Sequence, residues 1–73
     1  MDKVTRILTL FYRLSRGIKV ERESFCSEFD INSRSFDRDI QDIRLFLEGL
    51  NTSTELAFDR RTGLYYLTNI FGR

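Results

Sequence analysis

Two arginines four residues apart, Arg34 and Arg38, stand among Ser33, Ser35 and Gln41, with Asn32 just ahead of them. A guanidinium offers several N–H donors in a planar fork, which matches the two acceptors of a guanine edge or a pair of phosphate oxygens. Serine and glutamine supply shorter, adaptable donors and acceptors. Asn32 carries the side chain of a helix N-cap, and a helix beginning at Ser33 would turn free backbone amides and the positive dipole end toward a phosphate. Further along, Arg60 and Arg61 adjoin in a polar stretch, where they are placed to clamp phosphate or a minor groove. This is chemistry for holding a polyanion and, at Arg34 and Arg38, for reading one. The plain alternative is a solvated helix face, with Arg38 paired to Asp37, Asp42 or Glu28, and an ordinary charged turn at 60–61.

Other chemistries lack their residues. The chain has no His and a single Cys, Cys26, which removes an internal disulfide, the usual zinc fingers and His-based catalysis. Cys26 reads as a small buried residue. No Gly-rich phosphate loop is present, and the paired carboxylates lie among basic residues on helices, so neither an enzyme nor a metal or cofactor is expected. No apolar run is long enough to span a bilayer, and the start is amphipathic and unlike a signal peptide, which predicts a soluble cytoplasmic protein. With 41% hydrophobic residues, seven of them Phe, the 73 residues can bury one small core as a single domain, 1–73. The net charge of +1 is low for a polyanion binder, so distribution matters more than the total.

Helical periodicity places these residues. The first helix is expected over about 3–16, with Val4, Ile7, Leu8, Phe11 and Leu14 as the buried stripe and Leu10 and Tyr12 off its centre. Gly17 suits a helix C-terminus, where Arg13 and Arg16 complement the dipole. A second helix over about 21–29 turns Phe25, Cys26 and Phe29 inward. Asp30 then tolerates the left-handed backbone of a reversal, and Ile31 fills the gap between helices. A third helix over about 33–49 buries Phe36, Ile40, Ile43, Leu47 and Leu50. Its opposite side carries Arg34, Arg38, Gln41 and Leu45. Asp39, at the border of the buried stripe, is expected to be structural and to accept from a group on another helix.

After residue 54 the period changes to two. Glu55 to Phe58 alternates, Leu64 to Thr68 is rich in aromatics, and Gly63 comes late in the loop between them, as a hairpin over about 55–68 requires. One of Tyr65 and Tyr66 must face away from the buried side, and a short third strand near 18–20 would complete the sheet. The fold class is α+β, mainly α: three helices followed by a two-stranded hairpin, a winged helix-turn-helix.

At three places the sequence resembles the N-terminal winged helix of DeoR-type and WYL-domain transcription regulators. These are Arg6-Ile7-Leu8-Thr9-Leu10-Phe11 with Leu14, the run from Phe25 to Ile40, and Phe58-Asp59-Arg60 with Tyr65-Tyr66-Leu67. The departures are small: Cys26, Asp30, Asn32 and Ser35 stand where Ala, Gly, Ser and Thr are usual. The resemblance implies sequence-specific binding of double-stranded DNA and transcription regulation, through Asn32, Ser33, Arg34, Ser35, Arg38, Gln41, Arg60 and Arg61. Such regulators continue into a ligand-sensing domain, so the chain reads as an excised DNA-binding domain or a minimal regulator of the phage or mobile-element kind. A single winged helix reads few base pairs, which predicts a homodimer on a repeated site, with Leu45, Leu10, Ile70 and Phe71 as apolar surface. The rival expectation is a winged-helix protein–protein adaptor that does not bind DNA.

Overall fold

Asp2 sets the start of the first helix: its Oδ1 accepts the Thr5 amide at 2.8 Å, and the carboxyl is held below its ordinary range chiefly by that backbone bond. From there the computed structural model, which describes residues 2–69, runs α1 (Lys3–Ser15), β1 (Val20–Glu21), α2 (Arg22–Phe29), α3 (Ser33–Gly49), β2 (Glu55–Asp59) and β3 (Leu64–Thr68). Three helices pack with one antiparallel sheet of order β1-β3-β2, giving a small, mainly helical α+β fold. The short strand expected near 18–20 forms at Val20–Glu21 and pairs Val20 with Tyr65.

Local chemistry explains each boundary. Gly17, at φ +83°, ends α1: the Ile18 amide reaches back to the Arg13 carbonyl and the Gly17 amide to Leu14, both at 3.0 Å. Asp30 takes the left-handed conformation expected of it (φ 53°), and the Ile31 amide closes the turn onto Cys26 at 3.0 Å. Asn32 caps α3 by accepting the Ser35 amide at 2.8 Å. Gly49 is the last residue of α3, and the chain swings away at Asn51 (φ 53°).

The core joins Leu10 and Leu14 of α1 to Val20, Phe25, Phe36, Ile40, Ile43 and Leu47, and to Leu56 and Leu67 of the hairpin. Two expectations fail here. Leu10 is fully buried, whereas Val4 and Leu8 stand 63% and 61% exposed. The apolar arc of α1 is wider than the contact it makes, and an ion pair selects the rotation. Arg6 Nε and Nη2 donate to Asp39 at 2.6 and 3.0 Å, drawing the Arg6–Leu10 side inward. Leu10 therefore offers no surface for self-association, and Ile70 and Phe71 lie outside the described residues. Leu50, expected on the buried stripe of α3, is also exposed because it falls past the end of that helix.

In the hairpin, Leu56 pairs with Leu67 and Phe58 with Tyr65 on the inward face, while Ala57 and Tyr66 pair on the outward face. Lys19 lies over the outward ring of Tyr66, its Nζ 5.5 Å from the centroid. Thr54 is buried just before β2 and donates from Oγ1 to the Asn69 carbonyl at 2.6 Å, tying the two ends of the hairpin together.

Candidate nucleic-acid interface

The first turns of α3 present Ser33, Arg34, Arg38 and Gln41 to solvent, with Ser35 partly covered on the flank. Their outward direction follows from the inward one, since Phe36, Asp39, Ile40 and Ile43 fill the other side of the same turns. Asn32 is exposed, but its side-chain oxygen is committed to the cap.

Four acids around these arginines have other partners. Asp39, with no exposure, holds Arg6 of α1. Glu28 holds Arg13 of α1 through two bonds of 2.9 and 2.6 Å. Asp42 lies 3.3 Å from Lys3, and Asp37 makes a longer 3.4 Å contact with Arg22. The pairing of Arg38 with Asp37, Asp42 or Glu28 is thus not formed. Among the described residues, Arg34 and Arg38 make no hydrogen bond, ion pair or ring contact.

The same pairings set the protonation of the scaffold. The Arg13 guanidinium holds the Glu28 carboxyl below the usual carboxylate range, and Glu28 raises Arg13 in return. Asp39 likewise raises Arg6. Burial pushes the Cys26 thiol up, and its Sγ lies 3.6 Å from the Asn32 carbonyl, which marks a packed, protonated thiol.

The second basic element is the hairpin tip. Asp59 organises it: its Oδ1 accepts the Arg61 amide at 2.9 Å, and its carbonyl accepts the Gly63 amide at 2.7 Å. Gly63 needs its φ of +74°, which only glycine adopts without strain. The turn thereby exposes Arg60 and Arg61, whose guanidiniums also have no partner among the described residues.

Packing fixes the direction in which this tip points. Arg44, late in α3, donates to the Leu56 carbonyl at 3.3 Å, and Phe36, early in α3, packs on Tyr65 with centroids 5.3 Å apart. Strand β2 therefore runs from the C-terminal half of α3 toward its N-terminal turns. Phe58 continues the ring contacts at 4.7 Å from Tyr65, toward the tip. The hairpin loop with Arg60 and Arg61 thus lies at the end of β2 that is directed toward the N-terminal half of α3. Acids also border the loop end of the hairpin, where Glu21 and Glu23, with Arg22, line an open cleft with Phe58, Gly63 and Tyr65.

Sequence reasoning missed the cations that occupy the acids. Arg6 and Arg13 carry no spacing signal toward Asp39 and Glu28, because their partners sit on other helices. Among the described residues no group of three or more His, Cys, Asp or Glu could hold a metal, and no helix is long and apolar enough to cross a membrane. Comparisons of the chain with protein-family models, with curated proteins and with solved structures give no match.

Proposed function

We propose that the chain is a winged helix-turn-helix domain that binds double-stranded DNA sequence-specifically and regulates transcription by occupying a control site. In this reading α3 enters the major groove. Arg34 and Arg38 contact guanine edges or flanking phosphates, Ser35 and Gln41 add polar contacts, and the α3 N-terminus at Asn32 and Ser33 faces a phosphate. The hairpin is the wing, with Arg60 and Arg61 on the backbone or minor groove.

One observation carries the reading: the exposed arginines on α3 and at the hairpin tip lack carboxylate partners, while Asp37, Asp39 and Asp42 of α3 and Glu28 of α2 each hold a different cation. A solvated charged face with no binding role would not need that segregation. The resemblance to DeoR-type and WYL-domain regulators supports the same reading, with the cytoplasm as the place of action.

Fluorescence anisotropy with random duplex DNA, followed by selection of a preferred sequence from a random pool, tests the proposal. Arg34→Ala and Arg38→Ala should each cost about 1–3 kcal/mol at the selected site and relax its sequence preference. The pair Arg60→Ala and Arg61→Ala should weaken all duplexes alike and lower the slope of log K against log salt by about two. Unchanged affinity and preference in the Arg34/Arg38 double variant ends the proposal.

The second reading is a protein–protein adaptor, favoured by Glu21 and Glu23 beside the hairpin and by the exposed apolar side chains of α1 and α3. It predicts no salt-dependent binding of any duplex at low ionic strength.

A further inference from the structure

An acid stands beside the arginines of α3. At 3.6 residues per turn, Asp37 lies about 60° round the helix from Arg34 and about 40° from Gln41, and its side chain is 54% exposed. A carboxylate on a face that meets phosphates is repelled unless it finds a donor. Among the described residues the cation that meets it is Arg22, the first residue of α2, whose Nη1 lies 3.4 Å from Oδ1 and 3.5 Å from Oδ2. Asp39 and Glu28, by contrast, are each closed by a bond of 2.6 Å.

We propose that Asp37 is a specificity-determining residue of the DNA interface, accepting a hydrogen bond from the exocyclic amino group of a cytosine in the major groove. This role rests on the DNA reading of α3 and deepens it. In that groove only cytosine N4 and adenine N6 offer donors, whereas guanine N7 and O6 and thymine O4 are acceptors that repel a carboxylate. Adenine sets its donor beside N7, so cytosine is the base that meets Asp37 without an opposing lone pair.

The long contact to Arg22 is compatible with that role. An ionised carboxylate has about four acceptor sites, and a single nitrogen at 3.4 and 3.5 Å leaves both oxygens able to take a further donor. Arg22, its side chain 46% exposed, also offsets the charge that a nearby phosphate would otherwise repel. A wholly basic stripe attracts any duplex. An acid set among the arginines adds a penalty against bases that present only acceptors, and specificity gains from such a repulsive element.

Selection from a random duplex pool, run in parallel on the full chain and on Asp37→Ala, Asp37→Asn and Arg22→Gln, tests the assignment. The parent should require cytosine at one position. Asp37→Ala should lose about 5–150-fold of discrimination there, read by anisotropy with duplexes changed at that base pair alone. Asp37→Asn should move the preference to adenine, because an amide meets N6 and N7 together. Arg22→Gln should weaken binding and keep the cytosine, since the carboxylate reads the base. Circular dichroism confirms that the variants keep their helices, and Asp37→Asn, nearly equal in size to the parent residue, decides the matter if Asp37→Ala does not fold.

One selected sequence shared by the parent and both Asp37 variants overturns the assignment and leaves the DNA reading standing. So does an equal loss of the cytosine in Arg22→Gln and Asp37→Ala, which makes Asp37 a holder of Arg22 and nothing more. A parent that binds duplexes without preference, or binds none, removes the functional reading and this role with it.

Discussion

Replacing Arg6 with Met tests the link between sequence and fold at its most demanding point. Arg6 keeps 12% of its side chain exposed, and Asp39 keeps none. The two are joined by a pair of short bonds across thirty-three positions of sequence. Met preserves most of the stem volume but leaves a fully enclosed carboxylate without its cation, a defect worth about 3–5 kcal/mol. At roughly 0.05–0.15 kcal/mol per residue, a chain of 73 residues has about 4–11 kcal/mol in total, so this single change removes a large share of it.

Urea unfolding followed by helical circular dichroism reads the loss directly. With an m-value of roughly 1–3 kcal/mol/M, the midpoint should fall by about 1 M or more, and at about 4–8 °C per kcal/mol the melting temperature should drop by at least about 12 °C. Arg6→Lys should fall between, because an ammonium is a point charge and cannot reproduce the planar fork on both carboxylate oxygens. The decisive variant is the double one. Arg6→Met with Asp39→Leu removes both charges and leaves an apolar contact, which should restore stability to within about 1 kcal/mol of the parent. A loss below about 1 kcal/mol in Arg6→Met refutes the reasoning, and so does a double variant whose loss equals the sum of the single ones.

Two further outcomes follow from local geometry. Asn32→Ala should cost about 1 kcal/mol by orphaning the Ser35 amide, while Asn32→Asp, which keeps the acceptor, should cost little; equal losses in urea midpoints would contradict the cap assignment. Glu28 titrates in the fold below its ordinary value of 4.5, so its contribution is complete above that value and is lost as pH falls through the folded pKa; Arg13→Met should flatten that part of the stability–pH profile, and an unchanged acid limb would refute the assigned cause.

What the sequence showed and what it hid divide along the range of the interactions. The apolar period of α3 from Phe36 to Leu47, the cap at Asn32, the reversal at Asp30 and the late Gly63 are local features, decided within a few residues, and each stands where the spacing puts it. The rotation of α1 was not legible, because its apolar residues cover too broad an arc to name one face. The choice falls to an ion pair between residues distant in sequence. The same blindness made Arg13 look like a dipole partner. It also makes a bidentate bond to Glu28 and lies over the rings of Phe25 and Phe29. For the candidate interface, the direction of Arg34 and Arg38 was legible from the helical period, but their freedom from carboxylates was not, since it depends on cations from other elements.

That freedom bears on the low net charge. A total of +1 would argue against a polyanion partner if the charges were mixed evenly, but they are not. Asp37, Asp39, Asp42 and Glu28 are spent inside the structure on Arg22, Arg6, Lys3 and Arg13, where they hold α1 and α2 to each other and to α3. Arg16 and Lys19 lie over tyrosine rings, and Arg44 is bound to a strand carbonyl. Among the described residues this leaves Arg34, Arg38, Arg60 and Arg61 as the guanidiniums with no hydrogen bond, ion pair or ring contact. An acid whose charge is offset by a cation a few ångströms away subtracts little from the potential at these four. The acids thus supply the rigidity that keeps the free arginines pointing outward. Removing a scaffold pair should therefore impair binding by loosening the frame, whereas removing a free arginine should impair binding and leave the fold intact.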